Sequence, residues 1–131
     1  MASDILKKLR LGKEDKALIV NAPAEYLALL GDFSFDKKPI AKNKGAYTFV
    51  HVFATSQAEL EKLVRSVDGY GKHDCLFWAS YPKGTGKIKS DIKRETVWTA
   101  FDLIHLQAVS QVAIDDTWSA LRARPAECVG K

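Results

Sequence analysis

The segment 79–125 limits the fold more tightly than any other part of the chain. It opens as a strand that runs into Pro82, which has no N–H to give to a ladder and so ends it. A glycine-containing turn follows, then a helix from about Ser90, then two strands, 109–114 and 118–124. Only Asp115-Asp116-Thr117 separates those two strands. So short a connection joins antiparallel neighbours, because a parallel crossover needs about a dozen residues or more. The chain must therefore finish as a hairpin laid against a sheet.

The upstream pattern supplies that sheet. Ala17-Leu-Ile-Val20 is a continuous apolar run, as in a central strand covered on both faces. Residues 25–30 form a short helix punctuated by Pro23 and Gly31, with Glu25 suited to its N-terminal dipole. Residues 33–35 alternate and read as a short edge strand; the Lys-rich stretch 36–45, with Pro39, reads as a loop. The clearest strand is 46–54. Ser56 and Glu59 then fit a reciprocal capping box, and Leu60, Leu63, Val64 and Val67 recur at helical spacing. A third apolar strand covers 74–80. Ser90 or Asp91 caps a helix with Ile92, Val97, Ala100, Phe101 and Ile104 on its inner side. Strands alternating with helices call for a largely parallel sheet with right-handed crossovers. The expected fold is a single α/β domain over 1–131, with a three-layer mixed sheet, mostly parallel with a C-terminal antiparallel hairpin. Residues 1–12 form an N-terminal arm or short helix closed by Gly12.

Composition narrows the function classes. The chain is 47% hydrophobic and 27% charged, an ordinary globular balance. No apolar run approaches the ~18 residues of a membrane span, so no membrane partner is expected. Residues 1–10 lack the apolar stretch of a secretory signal. Cys75 and Cys128 have neither metal-ligand nor redox spacing, which points to a reduced cytoplasm. The net charge of +4 permits polyanion contact without demanding it.

Leu18-Ile-Val-Asn-Ala-Pro23, the segment 47–60, Tyr81-Pro-Lys83 and the segment 114–121 together resemble a family of small bacterial proteins that brings no assigned activity. The Tyr-Pro-Lys turn combined with Asp115-Asp-Thr-Trp-Ser119 carries that resemblance most specifically. The order of elements is also similar to a trimmed Rossmann-like methyltransferase, which likewise ends in an antiparallel hairpin at the edge of a parallel sheet. That likeness implies a Gly-rich cofactor loop after the first strand. The position holds Asn21-Ala-Pro-Ala-Glu25 instead, with no glycine, one missing N–H and a carboxylate, so no cofactor is expected.

Ligands of open α/β sheets bind outside the carboxyl ends of the strands. Asn21, Thr55, Ser56, Ser80, Tyr81 and Lys83 fall there and define a polar rim; Asp36, after the 33–35 strand, stands where a ribose hydroxyl would be taken. Such a rim suits a small anionic or nucleotide-like ligand, with Lys83 as counter-charge. The alternative use of Thr55 and Ser56 is helix capping. The run 82–87 lacks the glycine spacing of a phosphate loop, and Ile88 replaces its hydroxyl. Lys83, Lys87, Lys89, Lys93 and Arg94 make a basic cluster with few interleaved aromatics, a weak signal for nucleic acid. His51, His73 and His105 are isolated in sequence, and no metal-ligand spacing or nucleophile elbow is present. No catalytic residue is assigned. The leading expectation is a non-enzymatic binding or interaction module that self-associates through its C-terminal edge, around Asp115, Asp116 and Trp118. A strand-end binder of a nucleotide-like or S-adenosylmethionine-like molecule is the alternative, and a weak nucleic-acid binder the third.

Overall fold

The computed structural model describes residues 7–12, 15–31, 33–83, 90–114 and 117–128. Three parallel strands, β1 (Ala17–Val20), β2 (Tyr47–Phe53) and β3 (Gly71–Pro82), lie side by side. The last strand, β5 (Trp118–Pro125), slots antiparallel against β3, and β4 (Leu106–Ala113) lies outside it, giving the order β1-β2-β3-β5-β4. β4 therefore runs in the direction of β1–β3, and only β5 is reversed. On the far side of β1, Asp36 makes a single parallel bridge to Leu18, a sixth-strand remnant. Among the described residues, three α-helices connect these strands: α1 (Ala24–Leu30), α2 (Gln57–Val67) and α3 (Arg94–Asp102).

The sheet separates two cores because alternate strand residues point to opposite faces. On one face Val50, Val52, Phe77, Ala79 and Leu121 meet Leu60, Val64 and Val67 of α2 and Val97, Ala100 and Phe101 of α3. The α2 residues are spaced by four and three, one stripe of a helix, and each full burial stabilises by roughly 1.5–3 kcal/mol. On the other face Ile19, Phe49, Phe53, Trp78 and Trp118 meet Tyr26 and Leu30 of α1, together with Leu9. The Trp78 indole N–H donates to the Leu9 carbonyl at 3.0 Å, which pins the N-terminal segment across this face.

Several boundaries depart from expectation. The 33–35 strand reduces to the Asp36 bridge: its backbone exchanges bonds with Ala17 and Ile19, then Lys37-Lys38-Pro39 leads the chain away. β3 starts three residues earlier than the apolar run, with a register irregularity against β2 between Tyr47 and Phe49. The third helix begins at Arg94, not at Ser90. The Ser90 hydroxyl accepts from the Ile92 N–H, outside the helix, and Asp91 instead caps a different helix, accepting from the Gln57 N–H of α2 at 2.7 Å. The capping box is displaced by one position. Ser56 accepts from the Glu59 N–H as expected, but Glu59 accepts in return from Thr55.

Candidate ligand site

From β1 the chain crosses to Asp36 on one side and returns to β2 on the other, so strand order reverses at β1. That reversal is where an open α/β sheet normally leaves its ligand crevice. Here internal hydrogen bonds cross it. Asn21 takes a left-handed φ of 63°, a conformation Asn tolerates better than most residues. Its side-chain amide donates to the Phe53 carbonyl at 2.8 Å, tying the end of β1 to the end of β2. The Thr55 N–H and hydroxyl both donate to the Glu59 carboxylate, at 2.8 and 3.3 Å. Ser56 is the N-cap of α2. Pro23 precedes α1 and brings no N–H to this end.

Two rim residues lie elsewhere. Ser80 is fully buried, its hydroxyl 2.6 Å from His51 Nε2, and the Tyr26 hydroxyl stands 3.1 Å from His51 Nδ1. A neutral imidazole has one donor and one acceptor nitrogen, and two hydroxyls satisfy both. Burial pushes the His51 pKa down to about 3 and raises that of the Tyr26 phenol, so all three groups stay uncharged. Asp36 sits at the opposite end of the sheet. Its carboxylate accepts from Asn43 at 3.0 Å and from the hydroxyl of Tyr47, the first residue of β2.

The carboxyl end of β3 is open. Tyr81 and Lys83 line a cleft of about 550 Å³ together with Lys93 and Arg94 at the start of α3, Gln111 of β4 and Ser119 of β5. The pairing of Tyr81 with Ser119 and of Gln111 with Leu121 sets these side chains at one end of three adjacent strands. The Gln111 amide donates to the Ser119 hydroxyl at 2.7 Å and to the Tyr81 phenol oxygen at 3.4 Å. Burial, the largest influence, holds the Tyr81 pKa above its usual value; the neighbouring Ser119 hydroxyl acts the other way. Tyr81 therefore remains a neutral O–H. The Lys83 N–H donates to the Thr117 carbonyl at 2.7 Å, which fixes where that side chain leaves the sheet. Asp91 points away to α2. Among the described residues, Lys83, Lys93 and Arg94 form no ion pair with a carboxylate.

The fold is a methyltransferase-like Rossmann fold. Over 93% of this chain and 88% of the other, it matches a SAM-dependent methyltransferase from Aquifex aeolicus with a TM-score of 0.63 at 11% identity. A putative type 11 methyltransferase from Sulfolobus solfataricus matches over 84% of each chain, with a TM-score of 0.54 at 12% identity. A 16S rRNA (adenine(1408)-N(1))-methyltransferase from Catenulisporales acidiphilia, bound to SAM, matches over 95% and 91%, with a TM-score of 0.55 at 12% identity. No family model matches the chain, and no curated protein does. Identities this low speak for the fold alone.

Of the seven rim residues, the cleft unites Tyr81 and Lys83. Asn21, Thr55 and Ser56 are engaged at the β1 and β2 ends, while Ser80 and Asp36 lie off the rim. Lys93 and Arg94 belong to the basic cluster visible in the sequence; Lys87 and Lys89 lie outside the described residues, as do Asp115 and Asp116. Gln111 carried no signal, and Ser119 none beyond its place in the 115–119 motif, because a strand-borne polar residue gains a site role only from its neighbours across the sheet. Trp118 is 5% exposed and packs edge-on against Phe53, with ring centroids 5.3 Å apart, so it belongs to the core rather than to an outer edge surface. No described helix is long and apolar enough to cross a membrane, and no group of three or more His, Cys, Asp or Glu among the described residues is placed to hold a metal.

Proposed function

We propose that the chain is a non-enzymatic binding module that holds a small anion in the β3 cleft. The convergence of Lys83, Lys93 and Arg94 on one cleft carries this reading, with the polar hydrogens of Tyr81, Gln111 and Ser119 beside them and no paired carboxylate among the described residues. Positive charge gathered in a concave wall attracts anions and raises their local concentration. The hydroxyl–imidazole pair Ser80–His51 lies enclosed in the core, which favours binding over covalent chemistry. The residues at the end of β1 do not fit a SAM-type ligand: Pro23 lacks its N–H, and the Asn21 amide is committed to Phe53.

Thermal unfolding against inorganic phosphate, pyrophosphate and S-adenosylmethionine tests this. A ligand at 100 times its Kd adds about 2.7 kcal/mol, several degrees for a domain of this size. Phosphate or pyrophosphate should raise Tm in the wild type and not in the double variant Lys83→Gln/Arg94→Gln. A flat response to both anions overturns the reading. Stabilisation by S-adenosylmethionine that survives the double variant moves the ligand to the β1 end.

Self-association through the sheet edge is a second reading, favoured by β4 itself. It is the outermost strand, holds no buried residue, and contains neither charge nor proline over Leu106–Ala113. Edge strands that stay apart usually carry such guards. Sedimentation at micromolar concentration should show a dimer, and a monomeric mass removes this reading.

A further inference from the structure

A second depression adjoins the basic cleft along α3 and β4. It is lined by Trp98, Ala108, Val109 and Leu121, and it shares Arg94 and Gln111 with the cleft. Trp98 is 48% exposed, whereas Trp78 and Trp118 are buried at 1% and 5%. An exposed indole offers a large flat π-face on which another ring can stack. The Arg94 guanidinium lies over the Trp98 ring, 6.0 Å from its centroid. Among the described residues the Trp98 indole N–H has no hydrogen-bond partner. Arg94 and Trp98 are one helical turn apart, about 6 Å along the axis. That is the scale separating a 5′-phosphate from its base.

We infer that the cleft and the depression form one site for a mononucleotide, with the phosphate among Lys83, Lys93 and Arg94 and the base stacked on Trp98. The inference rests on the anion site proposed above and extends it. Cations alone would take any anion. An exposed indole one turn further on, with a guanidinium already over its ring, adds selectivity for a ligand that has a flat π-face next to its charge. The apolar wall of Ala108, Val109 and Leu121 suits the base and would be wasted on a bare phosphate.

The test compares inorganic phosphate, adenosine, AMP and a ten-nucleotide single strand on the full chain, by calorimetry and tryptophan fluorescence. Trp98 is the exposed indole, so a stacked base should quench the exposed component of the emission. AMP should bind at least tenfold more tightly than phosphate, the gain expected of one base–aromatic stack. Trp98→Ala should abolish that gain while leaving phosphate affinity unchanged, and Trp98→Phe should retain most of it. Near-ultraviolet dichroism from the buried Trp78 and Trp118 checks that the variants fold. If phosphate binds but AMP binds no more tightly, the inference falls and the anion site stands. If neither binds, the anion site itself falls. A ten-nucleotide strand that binds a hundredfold more tightly than AMP, with steep salt dependence, overturns the mononucleotide in favour of single-stranded nucleic acid.

Discussion

At the carboxyl ends of β1 and β2 the polar side chains are partnered within the protein, whereas at the carboxyl end of β3 three cations face a cleft with no carboxylate partner among the described residues. The same edge of the sheet is thus closed at β1 and β2 and open at the neighbouring β3. The closed end is the place where this fold would normally receive a ligand. A hydrogen bond such as Asn21 to Phe53 contributes to stability, and it also removes the groups a ligand would need. Function has room to move one strand along, to the point where β5 reverses and the chain leaves β3 for α3.

If that contrast holds, changes in the β1–β2 region should alter stability, and changes at the β3 end should alter binding. The largest effect is expected from acid. His51 is neutral when folded, with its pKa lowered from 6.5 to about 3 by burial. The unfolded chain takes up a proton on this residue below pH 6.5 and the folded chain does not. The stabilisation is therefore complete above pH 6.5 and is lost progressively as the pH falls toward 3, up to roughly 4–5 kcal/mol across that window. Urea midpoints at pH 7 and pH 4.5 measure it. His51→Gln should be less stable at neutral pH and should lose about one proton's worth of the slope; an unchanged slope would show that His51 is not the group responsible.

Asn21→Ala should cost about 1–2 kcal/mol, from the lost bond to Phe53 and from forcing a Cβ-bearing residue without that bond into a left-handed φ. Asn21→Gly should cost less, because glycine accepts that φ freely. Phosphate affinity should not change in either variant, and a loss would tie the two ends together. The smallest stability change is expected at the open end. Arg94→Gln should move unfolding by no more than about 0.5 kcal/mol, as exposed surface substitutions usually do. Its phosphate affinity should nonetheless fall several-fold by calorimetry.

Much of the fold is legible from local pattern. The apolar run at Ala17–Val20, the Leu60–Val64–Val67 stripe and the short connection before Trp118 each specify an element without help from distant residues. Legibility fails where a side chain answers to a distant partner. Asp91 resembles the cap of its own helix and serves α2, thirty-four positions earlier. His51 looks isolated because Tyr26 and Ser80 stand 25 and 29 positions away. The rim is read as one site because strand ends are counted as equivalent; the structure distinguishes them by which are already hydrogen-bonded. Tyr81 and Lys83 are visible because they immediately end a strand. Gln111 and Ser119 are not, because their place beside Tyr81 depends on β5 entering between β3 and β4.

That insertion sets an order of events during synthesis. β5 follows the other four strands in the chain, yet it lies inside the sheet, paired with β3 on one side and β4 on the other. While a chain still lacks residues 118–125, it can pair β1, β2 and β3, but β3 keeps a bare edge and β4 has no strand to pair with. Phe77 must wait for Ala123, and Tyr81 for Ser119. The wall that brings Gln111 next to Tyr81 therefore appears only when β5 arrives. A chain cut before Trp118 would leave the edge of β3 unpaired and lack one wall of the cleft; residues 118–125 supply the closed sheet and that wall together.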